Sequence, residues 1–94
     1  MKILYAEDER AMAEAVTDVL SYHKFNVDTV YDGADALDYA HSEEYDGIIL
    51  DVMMPKKSGL EVLRQLRAEG CRTPVMTLLA SKARSMKASL RKLA

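Results

Sequence analysis

The sequence predicts an α/β domain in which a parallel sheet is covered by helices on both faces. Two observations carry that prediction. Short apolar runs rich in β-branched residues alternate four times with stretches of helical periodicity, an order that builds parallel strands joined by right-handed crossovers. Two of these runs also break off in carboxylates: Lys2-Ile3-Leu4-Tyr5-Ala6 runs into Glu7-Asp8-Glu9, and Ile48-Ile49-Leu50 into Asp51. The 94 residues suffice for one domain, and a chain of that length buries about 60 to 65% of its unfolded surface.

Taken in order, Ile3 to Ala6 form the first strand. A helix follows from about Glu9 to Tyr22, with Ala11, Ala15, Val16, Val19 and Leu20 on one stripe at three- and four-residue spacing. Phe25, Val27, Thr29 and Val30 mark a second strand, whose lower apolar content suits an edge. Asp32-Gly33 turns into a second helix that ends near Ser42 and faces the core with Ala34, Leu37 and Ala40. Asp46-Gly47 leads into the strand that ends at Asp51, apolar enough to be buried on both faces. Past Pro55, Ser58 and Glu61 form a capping box that starts a helix carrying Leu60, Leu63 and Leu66 inward. Gly70 closes that helix as a left-handed cap, and Thr73 to Ala80 form the fourth strand.

An acid at the end of a buried strand lies in the crevice outside the carboxyl edge of the sheet, where open α/β sheets bind ligands. Asp51 is therefore a candidate reactive group, although a polar residue that merely ends a strand or opens a turn looks the same in sequence. If the first and third strands are neighbours, Glu7, Asp8 and Asp51 crowd one spot. Like charges that close repel and raise one another's pKa unless a cation stands among them. Magnesium suits such a set, because it keeps several waters and takes one or two carboxylates plus a phosphate. Asp8 reads as a helix N-cap as well, with Glu9 favouring the helix dipole, and both roles can hold together.

Tyr5-Ala6-Glu7-Asp8-Glu9, Leu50-Asp51-Val52-Met53-Met54-Pro55 and Ser58-Gly59 together resemble the receiver domain of two-component response regulators, notably receivers joined to winged-helix DNA-binding domains. The resemblance runs from Met1 to about Ala80. It implies a doubly wound, flavodoxin-like sheet with strand order 2-1-3-4 and a receiver core over residues 1–80. It implies that Asp51 accepts a phosphoryl group from a sensor histidine kinase, with Mg2+ held by Glu7, Asp8, Asp51 and the backbone carbonyl of Met53. A cytoplasmic phosphorelay domain of this kind assists its own phosphorylation without being a turnover enzyme, and reaches DNA only through an output domain outside this sequence.

The sequence departs from the family pattern near its end. Family receivers place a Ser or Thr hydroxyl against the phosphoryl group where this chain has Leu79, and Thr77 stands roughly 6 to 7 Å back along the strand. The family's fifth strand, with its phosphate-binding lysine, and fifth helix have no counterpart. A lost charge-assisted partner costs about 1.5 to 3 kcal/mol, so phosphoryl transfer is expected to survive better than the conformational switch that reads it. Composition changes too: residues 1–80 hold all 15 acids and 8 of the 13 basic residues, a balance of −7, while residues 81–94 hold 5 basic residues and no acid. Ser81 caps an expected basic amphipathic helix over 81–94 in place of the family's fourth helix, with Ala83, Met86, Leu90 and Leu93 on one face. A membrane surface, an acidic groove and packing between molecules are its other readings.

The shift at Thr77 points to truncation, a frameshift or engineering. It would leave Val75 to Leu79 as an uncharged edge strand, which invites pairing with another chain, so a homo-oligomer is expected. The alternative function is accordingly a receiver remnant that oligomerises as an interaction module without a phosphorylation switch. A metal-dependent phosphatase of similar topology needs an Asp two residues after the nucleophile, where Met53 stands.

Other classes find no support. There is no run of eighteen apolar residues and no secretory signal pattern, so no membrane role is expected for the core. The single cysteine, Cys71, reads as a buried small hydrophobe, and the six methionines as core filler. No glycine-rich phosphate loop, zinc-ligand spacing or Ser-His-Asp set is present, and the tyrosines lack the basic interleaving of a nucleic-acid surface. His23 and His41 fall at expected helix ends, where a cation favours the dipole.

Overall fold

The computed structural model describes residues 1–78. They form β1 (Lys2–Ala6), α1 (Arg10–Tyr22), β2 (Asn26–Val30), α2 (Gly33–Ser42), β3 (Gly47–Asp51), α3 (Gly59–Ala68) and β4 (Val75–Leu78). Leu79 and the helix expected over 81–94 lie outside the described residues. The four strands make one parallel sheet in the order β2-β1-β3-β4, as the resemblance implies, with β2 on the outside. Ile3 is paired on one side with Val27 and on the other with Gly47.

Helices cover both faces. Leu4, Ala6, Val30, Ile48 and Leu50 meet Ala36 and Leu37 of α2 and Val62 and Leu66 of α3 in one buried cluster. α1 contributes nothing to that cluster, yet it packs on β1 and β2 and buries Met12 and Ala13, so it lies on the opposite face. The Thr17 and Thr29 hydroxyls, 2.8 Å apart, tie α1 to β2 on that side.

The inward stripes differ from the expected ones in a consistent way. In α1, Ala11 and Ala15 are exposed and Val19 is 58% exposed, while Met12 and Ala13 are buried and Val16 and Leu20 half-buried. An alanine-rich helix offers more than one apolar stripe, and burial scales with apolar area, so the longer Met12 decides which one turns inward. In α3, Leu60 is 40% exposed, and Val62 and Leu66 are the buried anchors, with Leu63 half-buried. Gly59 holds the first place of that stripe: 59, 62, 63 and 66 follow the three- and four-residue spacing of one helix face. α2 repeats the arrangement with Gly33, Ala36, Leu37 and Ala40. Both helices thus begin with a buried glycine that lets backbone approach backbone.

Helix ends follow local chemistry. Asp32 accepts from the Asp35 amide at 2.8 Å, and the Ser58–Glu61 capping box is present in both directions. α3 ends as expected with Gly70 left-handed at φ +86°, the Cys71 amide reaching the Leu66 carbonyl at 2.9 Å and the Gly70 amide that of Arg67 at 3.1 Å. Beside it His41 of α2 meets Glu69 at 2.9 Å, and this bond holds the Glu69 carboxyl below its ordinary range. Cys71 is half-buried rather than buried, because it sits one residue past that cap, where its thiol donates to the Thr73 hydroxyl.

α1 ends in the same motif, with the Phe25 amide bonded to the Leu20 carbonyl at 3.1 Å and the Lys24 amide to that of Ser21 at 2.9 Å. Here, however, Lys24 occupies the left-handed place at φ 68°. A side chain there is strained where glycine is not. Lys24→Gly should therefore raise unfolding stability by about 0.5 to 1 kcal/mol, read as a higher urea midpoint at unchanged slope.

Candidate functional site

Pairing of β1 with β3 runs in register through Ala6 opposite Leu50, so the next residues, Glu7 and Asp51, leave the sheet side by side. The Glu7 amide bonds the Val30 carbonyl at 3.0 Å, and the Val52 amide the Leu78 carbonyl at 3.3 Å, which carries both ladders to this point. Each acid then folds over the amide two residues on: Glu9 N–H donates to Glu7 Oε2 at 3.1 Å, and Met53 N–H donates to Asp51 Oδ1 at 3.2 Å. Bonds of this local kind orient a carboxylate without help from distant residues.

One oxygen from each of Glu7, Asp8 and Asp51 lies within 4.8 Å of the other two, and no second group of this kind occurs among the described residues. Glu7 and Asp51 are fully buried, whereas Asp8 is exposed. The helix N-cap considered for Asp8 is Glu9 instead, in extended backbone and with no side-chain capping bond, so Asp8 stays with the cluster. Carboxylates gathered at this range favour a cation among them. An all-oxygen set open on the Asp8 side fits a hard divalent cation such as Mg2+, which keeps part of its water shell. The expected site residues Glu7, Asp8 and Asp51 are thus brought together, and Met53, itself 44% exposed, stands beside them through its amide.

The loop that follows Asp51 is held at both ends. The Gly59 amide bonds the Val52 carbonyl at 2.9 Å, and a Cβ at Gly59 would overlap the Asp51 carbonyl. At the far side the Gly33 amide bonds the Pro55 carbonyl at 3.3 Å, and a Cβ at Gly33 would overlap the Lys57 carbonyl. Lys56, left-handed at φ 69°, places its Nζ 3.5 Å from Asp32 Oδ2. Asp32 carries a carboxyl held below its ordinary range, first by the Asp35 amide and then by the Lys56 ammonium. Sequence reasoning takes Asp32-Gly33 for a turn and Lys56-Lys57 for a loop. Opposite charges in two loops at the same edge of a 2-1-3-4 sheet are the signal that links them.

Residues 3–93 match the response regulator receiver domain family. The chain belongs to that family. This receiver domain is 42% identical over 80 residues to the transcriptional regulatory protein DltR of Streptococcus agalactiae, a match covering 85% of this chain and 36% of DltR. To the response regulator MprA of Mycobacterium avium it is 44% identical over 80 residues, covering 85% of this chain and 35% of MprA. The matched segment therefore spans little more than a third of these curated relatives. Among solved structures, the response regulator TrrA of Thermotoga maritima in complex with Mg2+-BeF superposes with a TM-score of 0.78 at 29% identity, over 93% of this receiver and 77% of that chain. The complex of histidine kinase ThkA with TrrA also matches, at 34% identity and a TM-score of 0.78, over 84% of this chain and 68% of the other. None of the helices among the described residues is long and apolar enough to cross a membrane.

Two outcomes follow from this receiver's geometry. Replacing one of three crowded carboxylates relieves repulsion, so Asp8→Asn should raise the melting midpoint in EDTA by several degrees; a rise on adding Mg2+ is expected of the wild type and not of this variant, both read by calorimetry. The depressed Asp32 carboxyl stabilises the fold above its unfolded value of 3.8, and that contribution is lost as pH falls through the lower folded value. Asp32→Asn should accordingly be less stable than wild type at pH 7, with the gap in urea midpoints closing as pH drops below 3.8.

Proposed function

We propose that this receiver takes a phosphoryl group on Asp51 from the phosphohistidine of a sensor histidine kinase. The observation that carries the proposal is the convergence of Glu7, Asp8 and Asp51 within 4.8 Å at the ends of adjacent parallel strands. An Asp51 carboxylate oxygen attacks phosphorus in line, the P–N bond breaks, and the imidazole nitrogen leaves with the electron pair. Glu7, Asp8, Asp51 and the Met53 carbonyl would hold Mg2+, which when bound offsets charge on the phosphoryl oxygens. The Met53 amide keeps the Asp51 carboxylate in place. The match to relatives such as the transcriptional regulatory protein DltR covers 36% of that protein, and any output at DNA would belong to a segment corresponding to the rest of it.

Incubation with acetyl phosphate and Mg2+, followed by intact-mass spectrometry, tests the proposal. Wild type should gain one phosphoryl group, EDTA should prevent the gain, and Asp51→Asn should remain unlabelled; labelling of Asp51→Asn at the wild-type rate would contradict the assignment.

A second reading rests on Leu79, which the resemblance places where the family has Ser or Thr: an oligomerising module that no longer responds to the phosphoryl group. Light scattering with and without Mg2+ and beryllofluoride separates the two readings. A mass that changes with the mimic favours the responsive receiver, and an oligomer indifferent to it favours the module.

A further inference from the structure

The loop between β3 and α3 carries both the amide that orients Asp51 and the carbonyl proposed as a metal ligand. From Val52 to Ser58 this loop has no regular secondary structure of its own. Its near end is closed by the Gly59 amide on the Val52 carbonyl. Its far end turns back at Pro55, where the Lys57 amide bonds the Pro55 carbonyl at 2.8 Å. That same carbonyl accepts from the Gly33 amide at 3.3 Å, so the loop hangs on the first residue of α2.

We infer that Asp32 and Lys56 form a positioning clamp that holds the β3–α3 loop, and through it Met53, against the phosphoacceptor. Three features favour a positioning role over a chance surface pair. Asp32 is anchored before it meets Lys56, because its other oxygen, Oδ1, caps α2 by accepting from the Asp35 amide at 2.8 Å. Its side chain is only 15% exposed, against 65% for Lys56, so the fixed and buried member of the pair is Asp32. Lys56 in turn adopts a left-handed backbone at φ 69°, a conformation costly for a lysine that the surrounding contacts must hold. Next to it, the close approach of Gly33 to Lys57 leaves no room for a side chain between helix and loop. Asp32 thus joins two elements: it starts α2 and it fixes the height of the loop over Asp51. Neither residue touches the reacting atoms, so both act through Met53.

The inference rests on the reading of Asp51 as phosphoacceptor, and the test separates the two. Asp32→Asn keeps an acceptor for the α2 cap but loses the charge; Lys56→Gly loses the ammonium and relaxes the left-handed residue. Displacement of a catalytic loop by a fraction of an ångström costs rate steeply, so each variant should label from acetyl phosphate roughly three- to tenfold more slowly than wild type at saturating Mg2+. Because the two residues act as one unit, the double variant should be no slower than either single one. Lys56→Arg should restore the rate. Raising salt toward 1 M, where screening acts within about 3 Å, should slow the wild type toward the Asp32→Asn rate and leave that variant little changed. A purely structural role would lower the melting midpoint without the rescue or the salt convergence. Wild-type rates in both single variants, or losses that multiply in the double variant, would overturn the clamp alone. A wild type that takes no label from acetyl phosphate would overturn the phosphoacceptor reading and the clamp with it.

Discussion

Pairing of Ala6 with Leu50 in the β1–β3 ladder brings Glu7 and Asp51 out of the sheet at one point, and the helix starts and loops around them are arranged on that register. A slip of one residue would turn every side chain of a strand to the opposite face, taking Leu4, Ala6, Ile48 and Leu50 out of the cluster beneath α2 and α3 and separating the acids. The apolar cluster therefore protects the site indirectly: the burial that makes the register costly to change also keeps two carboxylates fully buried side by side. Such carboxylates work against the stability of the fold on their own. The proposed function places a cation and a phosphoryl group among them.

Two buried glycines complete the arrangement. Gly59 brings α3 onto the carbonyl of Asp51, and Gly33 brings α2 onto the loop that leaves it. Each helix starts at the carboxyl edge, so capping residues, loop and acids share one small region. Asp32 shows how closely the functions are joined there, since one carboxylate ends a turn, caps a helix and meets a lysine of the neighbouring loop. Stability and positioning of the reactive group draw on the same few contacts.

Much of this is legible in the sequence, for physical reasons that can be named. Alternating strand and helix signals yield the parallel sheet; acids directly after apolar strands yield Glu7, Asp8 and Asp51; and the Ser58–Glu61 and Gly70 signals yield both ends of α3, because capping chemistry is local. The strand order itself comes from the family resemblance. What escapes is the rotation of the helices, since an alanine-rich α1 has no unique apolar stripe and a glycine such as Gly59 registers as neutral in a hydrophobic pattern although it is buried and a Cβ there would overlap the Asp51 carbonyl. Lys24 escapes because a left-handed cap is expected of glycine. The Asp32–Lys56 contact escapes because it joins loops far apart in the chain, and neither loop alone points to the other.

The central claim is that three carboxylates gathered by one strand register hold a divalent metal and direct a phosphoryl group to Asp51. Diffraction from crystals grown with Mn2+ and beryllofluoride, recorded to give the anomalous signal of manganese, tests it most directly. The account predicts one anomalous peak bounded by Glu7, Asp8, Asp51 and the Met53 carbonyl, with beryllium bonded to an Asp51 carboxylate oxygen. A metal bound elsewhere, or an Asp51 left free of beryllium beside a bound metal, would contradict it.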